Sequence, residues 1–169
     1  LRREQKPDGS WFGRWGTNYI YGTWSVLCAL NAAGVAPGDA MVRRAAAWLV
    51  AKQRDDGGWG EDCESYGDAP AGEFHGYAAQ SLPSQTSWAV LGLMAAGLAD
   101  SDAVRRGVAY LQCVQDSAGS WTEKPYNAVG FPRVFYLKYH GYPRFFPLLA
   151  LSRYRGLMAS NDRVVKVGF

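Results

Sequence analysis

Residues 41–60 read MVRRAAAWLVAKQRDDGGWG and residues 103–122 read AVRRGVAYLQCVQDSAGSWT. The two stretches align without a gap, with identities at Val42/Val104, Arg43/Arg105, Arg44/Arg106, Ala47/Ala109, Leu49/Leu111, Gln53/Gln115, Gly57/Gly119 and Trp59/Trp121. A truncated third copy, Gln5-Lys6-Pro7-Asp8-Gly9-Ser10-Trp11, stands near the start of the chain. A repeat of this length is the signature of stacked supersecondary units. Val42, Ala46, Leu49 and Gln53 recur at helical spacing, as do Val104, Val108, Leu111 and Gln115, so the unit predicts an amphipathic helix. Asp39, and Asp100 or Ser101, are N-cap candidates, while Gly57 and Gly119 mark the turn after each helix.

A second unit alternates with the first. YGTWSVLCALNAAG (21–34) is similar to SQTSWAVLGLMAAG (84–97), and both are apolar nearly all round. A helix without a polar face is a buried helix. Amphipathic helices alternating with buried ones predict two concentric layers. The fold class is therefore all-α, an α/α barrel (toroid) of antiparallel helix hairpins. A closed ring needs more hairpins than 169 residues supply. The expectation is an incomplete arc over 1–160, followed by a frayed tail over 161–169. Residues 125–142, with two Pro and two Gly among aromatics, predict an irregular, partly extended segment. A last helix is expected over 142–157, kinked by Pro147.

Composition narrows the function. The chain holds 7 Trp, 10 Tyr and 7 Phe, and 48% of its residues are hydrophobic, which excludes a disordered chain. A formal net charge of +3 with scattered Lys and Arg argues against nucleic acid as a partner. The 3 Cys show no framework spacing and point to a reducing compartment. No GxGxxG or phosphate loop is present. Glu61, Cys63 and His75 raise the question of zinc, but the spacing is poor for a metal site. The expectation is no metal and no cofactor. Glu61 and its neighbours read instead as a polar loop whose carboxylates bind backbone amides or a nearby Arg.

Gln5 with Trp11, Gln53 with Trp59, and Gln115 with Trp121 share one spacing. A Gln at a helix end can donate and accept at once, tying its own helix to the next loop. These six residues are expected to be structural. Their pattern resembles the QW motif of triterpene cyclases. Four further stretches, GRWGTNYIYGTWSVLCAL, DDGGWGEDCESY, PSQTSWAVLGL and GFPRVFYLKYHGYPRFFPLLALSRYR, are similar to the C-terminal portion of the bacterial squalene–hopene cyclases, in the same order and over nearly the whole chain.

The resemblance implies a chemistry. In that family a C30 polyene folds inside an aromatic cavity, an acidic Asp protonates a terminal alkene, and successive carbocations close five rings before water or a base ends the cascade. Aromatic faces suit this task, because a cation over a ring gains about 0.5–2 kcal/mol without being captured as it would be by water. By similarity, Trp15 and Tyr21 match the wall near the early rings, and Phe131 and Phe135 match aromatics facing the later cations. Leu137 matches a position that shapes the cavity, and Tyr139 and Tyr142 match two Tyr that hold substrate or wall. The plain alternative for all seven is core packing.

The family's acid lies in an Asp-x-Asp-Asp motif, which this chain lacks. Asp55-Asp56 and Asp100-Ser101-Asp102 are turn and cap residues by their surroundings. No catalytic residue is therefore expected in this chain. The acidic motif is expected upstream of Leu1, and the fragment alone is expected to be inactive. The resemblance also implies squalene as substrate, contact with a membrane surface through the full-length protein, a homodimer, and a monotopic or peripheral location on the cytoplasmic side of a bacterial membrane. Two rival readings are a related terpenoid cyclase with another polyene substrate and a non-catalytic, prenyltransferase-like helical-toroid module.

Overall fold

A computed structural model describes residues 1–67 and 80–168. Five helices dominate it: α1 (Tyr19–Ala32), α2 (Ala40–Ala51), α3 (Pro83–Ala95), α4 (Asp102–Cys113) and α5 (Tyr142–Ala159). An antiparallel hairpin of β1 (Ala128–Phe131) and β2 (Phe135–Leu137) lies between α4 and α5. Helix α3 packs between α1 and α5, α2 covers α1 and α3, and α4 covers α3 and α5. This is the two-layer order that the repeat predicts, with α1, α3 and α5 inside and α2 and α4 outside. The all-α class and the arc of a toroid both stand.

Sequence explains the layering locally. Helix α3 carries no charged residue and is buried at all thirteen positions. Gly92 lets it approach α1, since a Cβ there would stand 3.2 Å from the Trp24 Cα. Helices α2 and α4 bury one face each, including Val42, Ala46 and Leu49 in the first and Val104, Val108 and Leu111 in the second. Asp39 caps α2 by accepting from the Met41 amide, and Ser101 rather than Asp100 caps α4 by accepting from Val104.

The Gln and Trp residues do the stapling expected of them. Gln53 Nε2 donates to the Gly57 carbonyl at 2.8 Å and to the Ala103 carbonyl, in the first turn of α4, at 2.9 Å. Gln5 repeats the geometry on Gly9 and Met41, both at 2.9 Å. Each Trp indole N–H donates to a Leu carbonyl ten residues upstream: Trp11 to Leu1, Trp59 to Leu49 and Trp121 to Leu111, at 2.9, 2.8 and 2.8 Å. The Trp11 and Trp59 amides reach inward to Thr23 Oγ1 on α1 and Thr86 Oγ1 on α3. The copy at 103–122 is simpler. Among the described residues, Gln115 Nε2 donates to Gly119 alone, at 2.9 Å.

Pro147 sits inside an α5 that runs unbroken to Ala159. Its missing N–H forfeits one bond, to the carbonyl of Pro143 in the helix's first turn. The segment expected as a frayed tail makes contacts with α1. Val165 is 3% exposed. Asn31 on α1 donates to the Ala95 and Val165 carbonyls at 3.1 and 3.0 Å, and its Oδ1 accepts from the Gly168 amide at 2.7 Å. Arg163 also pairs with Asp100 at 2.6 Å. One Asn on a distant helix anchors a segment whose own composition gives no periodicity.

Candidate functional site: two aromatic wall segments on a buried polar floor

Residues 15–17 run beside the hairpin and join it through an isolated antiparallel bridge. The Val129 amide donates to the Trp15 carbonyl at 3.0 Å, the Thr17 amide donates to the Asn127 carbonyl at 3.1 Å, and Gly16 bridges Ala128. Segments more than 110 residues apart in sequence thus form one unit. It carries three exposed aromatics: Trp15 at 59%, Phe131 at 56% and Phe135 at 45%. The Phe131 and Phe135 rings meet edge to face at 5.6 Å. Phe135 also covers Gly130, where a Cβ would lie 1.9 Å from the ring. Arg14 places its guanidinium 5.4 Å from the Trp15 ring centroid. Leu137 is half-buried and pairs with Ala128.

Tyr21 on α1, Tyr142 on α5 and Tyr139 just before α5 form a second group. Tyr21 presents its ring edge-on to Trp24 and Trp88, at 5.5 and 5.0 Å. Tyr142 meets Tyr139 at 5.0 Å, Trp88 at 5.4 Å and Phe146 at 5.3 Å. Burial pushes the Tyr142 hydroxyl up to about 12, with Tyr21 and Tyr139 adding to the effect. The two groups meet at Gly16, where a Cβ would stand 2.2 Å from the Tyr21 ring. All seven sequence candidates therefore fall in two joined clusters, Trp15, Phe131, Phe135 and Leu137 in one and Tyr21, Tyr139 and Tyr142 in the other.

Three cluster members escaped the sequence reading. Trp24 and Trp88 stack at 5.8 Å with 13° between planes, and Phe146 meets both edge-on. The available signal was a Trp in each repeated inner unit, beside Thr23 in one and two residues after Thr86 in the other. An apolar helix offers no pattern that separates a cluster Trp from an ordinary core residue.

Beneath these rings lies a buried polar floor. Glu61 is fully buried, and its two oxygens accept from the Tyr19 and Ile20 amides at 3.0 and 2.9 Å, capping α1. Burial raises its carboxyl to about 7, against the pull of those amides. Glu123 caps α3 in the same way, accepting from the Ser84 amide at 3.1 Å and the Ser84 hydroxyl at 2.8 Å, and burial raises it too. Gln85 Nε2 donates to the Thr17 carbonyl at 2.6 Å and the Glu61 carbonyl at 3.2 Å. Glu61 thus binds backbone amides, as its loop reading holds. Glu123 was missed, although Trp59-x-Glu61 and Trp121-x-Glu123 repeat in register.

Cys63 is drawn into the same region, with its Sγ 3.9 Å from Thr17 Oγ1 and 3.7 Å from the Tyr126 carbonyl. Burial raises its thiol to about 11, which disfavours the thiolate that a nucleophile needs. His75 lies outside the described residues.

Comparison with known proteins adds the family. The profile described as the squalene-hopene cyclase C-terminal domain matches residues 1–156. The squalene–hopene cyclase of Bradyrhizobium diazoefficiens is 60% identical over 169 residues, covering 99% of this chain and 25% of its own length. That of Zymomonas mobilis is 54% identical over 169 residues, with the same shares. Dammaradiene synthase of Dryopteris crassirhizoma is 45% identical over 168 residues, covering 92% of this chain and 24% of its own length. The chain spans about a quarter of the length of these relatives. Repeat, helical arc and matched sequence together place the chain in the squalene–hopene cyclase family, as a portion of its C-terminal domain.

Proposed function

We propose that this chain supplies part of the cavity wall of a squalene–hopene cyclase, which converts squalene to pentacyclic product through carbocations. The observation that carries the reading is the pairing of residues 15–17 with 127–129, which sets Trp15 beside the hairpin bearing Phe131 and Phe135. Large rings held open on rigid backbone suit a migrating cation, because ring faces attract positive charge and do not capture it. Leu137 shapes the wall, and Tyr21, Tyr139 and Tyr142 extend it onto the inner helices. The Glu61 and Glu123 carboxylates, saturated by α1 and α3 amides, hold the helices and do not donate the first proton. That proton comes from an Asp motif in the rest of the protein, and the chain alone does not turn over.

No helix among the described residues is long and apolar enough to cross a membrane. In this reading the full-length protein sits on the cytoplasmic face of a bacterial membrane, takes its insoluble substrate from there, pairs as a homodimer, and needs no cofactor. The test is incubation of the full-length protein with squalene. Pentacyclic hopene or hopanol supports the proposal. Turnover of another polyene, with squalene left unchanged, favours a related cyclase of different substrate.

A further inference from the structure

Arg133, at the tip of the hairpin, has a φ of 67°, in the left-handed region that glycine occupies without penalty. Its side chain accounts for its presence. Nε donates to the Tyr66 carbonyl at 2.6 Å and Nη2 to the Gly67 carbonyl at 3.0 Å. Both are charge-assisted bonds from one planar fork, so they fix direction as well as distance. The Arg133 amide donates to Tyr136 Oη at 3.0 Å, and Tyr136 stacks on Tyr66 at 6.1 Å. Tyr66 is buried, and its hydroxyl donates to the Gly13 carbonyl at 2.7 Å, with the Gly16 carbonyl at 3.1 Å. A continuous path therefore runs from the hairpin tip through the 63–67 turn to the segment that holds Trp15. Phe131 and Phe135 stand two residues either side of Arg133.

We propose that Arg133 is a positioning residue that sets where Phe131 and Phe135 lie relative to Trp15, and so decides how far cyclisation proceeds before it stops. The inference rests on the cyclase reading above. The guanidinium acts through the Tyr66 and Gly67 carbonyls and leaves the substrate to the rings. Ring placement controls which cation is stabilised, and shifts well under 1 Å or so matter for such preorganised sites.

The test uses the full-length protein with Arg133→Gly and Arg133→Lys. Glycine fits the backbone angle, so Arg133→Gly removes the clamp without opposing the turn. Both variants are expected to consume squalene while incompletely cyclised products rise at least about threefold relative to the pentacycle. Lysine keeps the charge but not the fork, and does not restore the ratio. A wild-type product ratio in Arg133→Gly, or full restoration by Arg133→Lys, overturns the inference and leaves the cyclase reading intact. Failure of the wild-type protein to convert squalene overturns the cyclase reading. The clamp is then judged by amide exchange: faster exchange over 128–137 in Arg133→Gly, with 83–95 unchanged, upholds it, and an unaltered hairpin refutes it.

Discussion

The Val129 amide points at the Trp15 carbonyl from 3.0 Å, and this bond joins the loop before α1 to the hairpin before α5. The connection joins two sequence-distant aromatic segments into one unit. Neighbouring contacts reinforce it: Thr17 to Asn127, Gly16 to Ala128, and Tyr66 to the Gly13 carbonyl. Placement of the rings thus depends on backbone bonds and a buried polar floor, which bend less readily than side chains alone.

Gln53→Ala should destabilise the chain more than Gln115→Ala. Gln53 spans two helices and Gln115 closes only its own turn. Loss of a part-buried amide that serves two carbonyls costs about 1–3 kcal/mol. Thermal unfolding of the two variants beside the parent checks the order.

Gly57→Ala and Gly119→Ala separate backbone strain from crowding. Both positions have positive φ, 86° and 77°. A Cβ at Gly57 meets the Arg106 carbonyl oxygen at 2.7 Å, whereas at Gly119 the nearest atom is Gln115 Nε2 at 3.8 Å. Each substitution loses about 1 kcal/mol for the left-handed angle. Gly57→Ala should lose a further ~1–3 kcal/mol by overpacking. Denaturant melts of the two variants give the difference directly.

Glu61 makes stability fall as pH rises. Its folded-state value, about 7, lies above the ordinary 4.5. Between those values the folded chain holds a proton that the unfolded chain has released, so stability declines from about pH 4.5 and the loss is complete once pH passes the folded value. The steepest slope is about 1.4 kcal/mol per pH unit. Unfolding of the parent and of Glu61→Gln across pH 4–8 should show this slope in the first and its loss in the second.

Trp88→Ala should be among the most damaging core changes. Trp88 is fully buried and touches Trp24, Tyr21, Tyr142 and Phe146. Truncation of such a ring costs about 3–5 kcal/mol. Trp88→Phe should retain more than half of that by keeping ring contacts, and calorimetry of both variants reads the split.

Much of the fold was legible because the repeat carries its own physics. Gln53 and Trp59 recur with a Gly turn between them, and hydrogen-bond geometry allows that pattern few roles other than stapling. The inner helices followed from the absence of a polar face over 84–97. The site was legible in its residues but not in its assembly. Nothing local to Trp15 reveals a pairing with Val129, because a bridge of two backbone bonds leaves no side-chain periodicity. The contacts of the tail were not legible for a related reason: their partner, Asn31, sits on α1, more than 130 residues away. Glu123 hid in plain register with Glu61, since a buried carboxylate reads as a surface charge until its amide partners are known.

The central claim is that these paired segments form the cation-facing wall of a squalene cyclase. Its most direct test is product analysis of the full-length protein with squalene, for the parent and for Phe131→Ala and Phe135→Ala. The account predicts pentacyclic product from the parent. In the two variants it predicts accumulation of products halted at fewer rings, with the pentacycle reduced by about 2- to 30-fold, the span of one lost cation–ring contact. Unchanged product ratios in both variants, from a parent that does cyclise squalene, would contradict it.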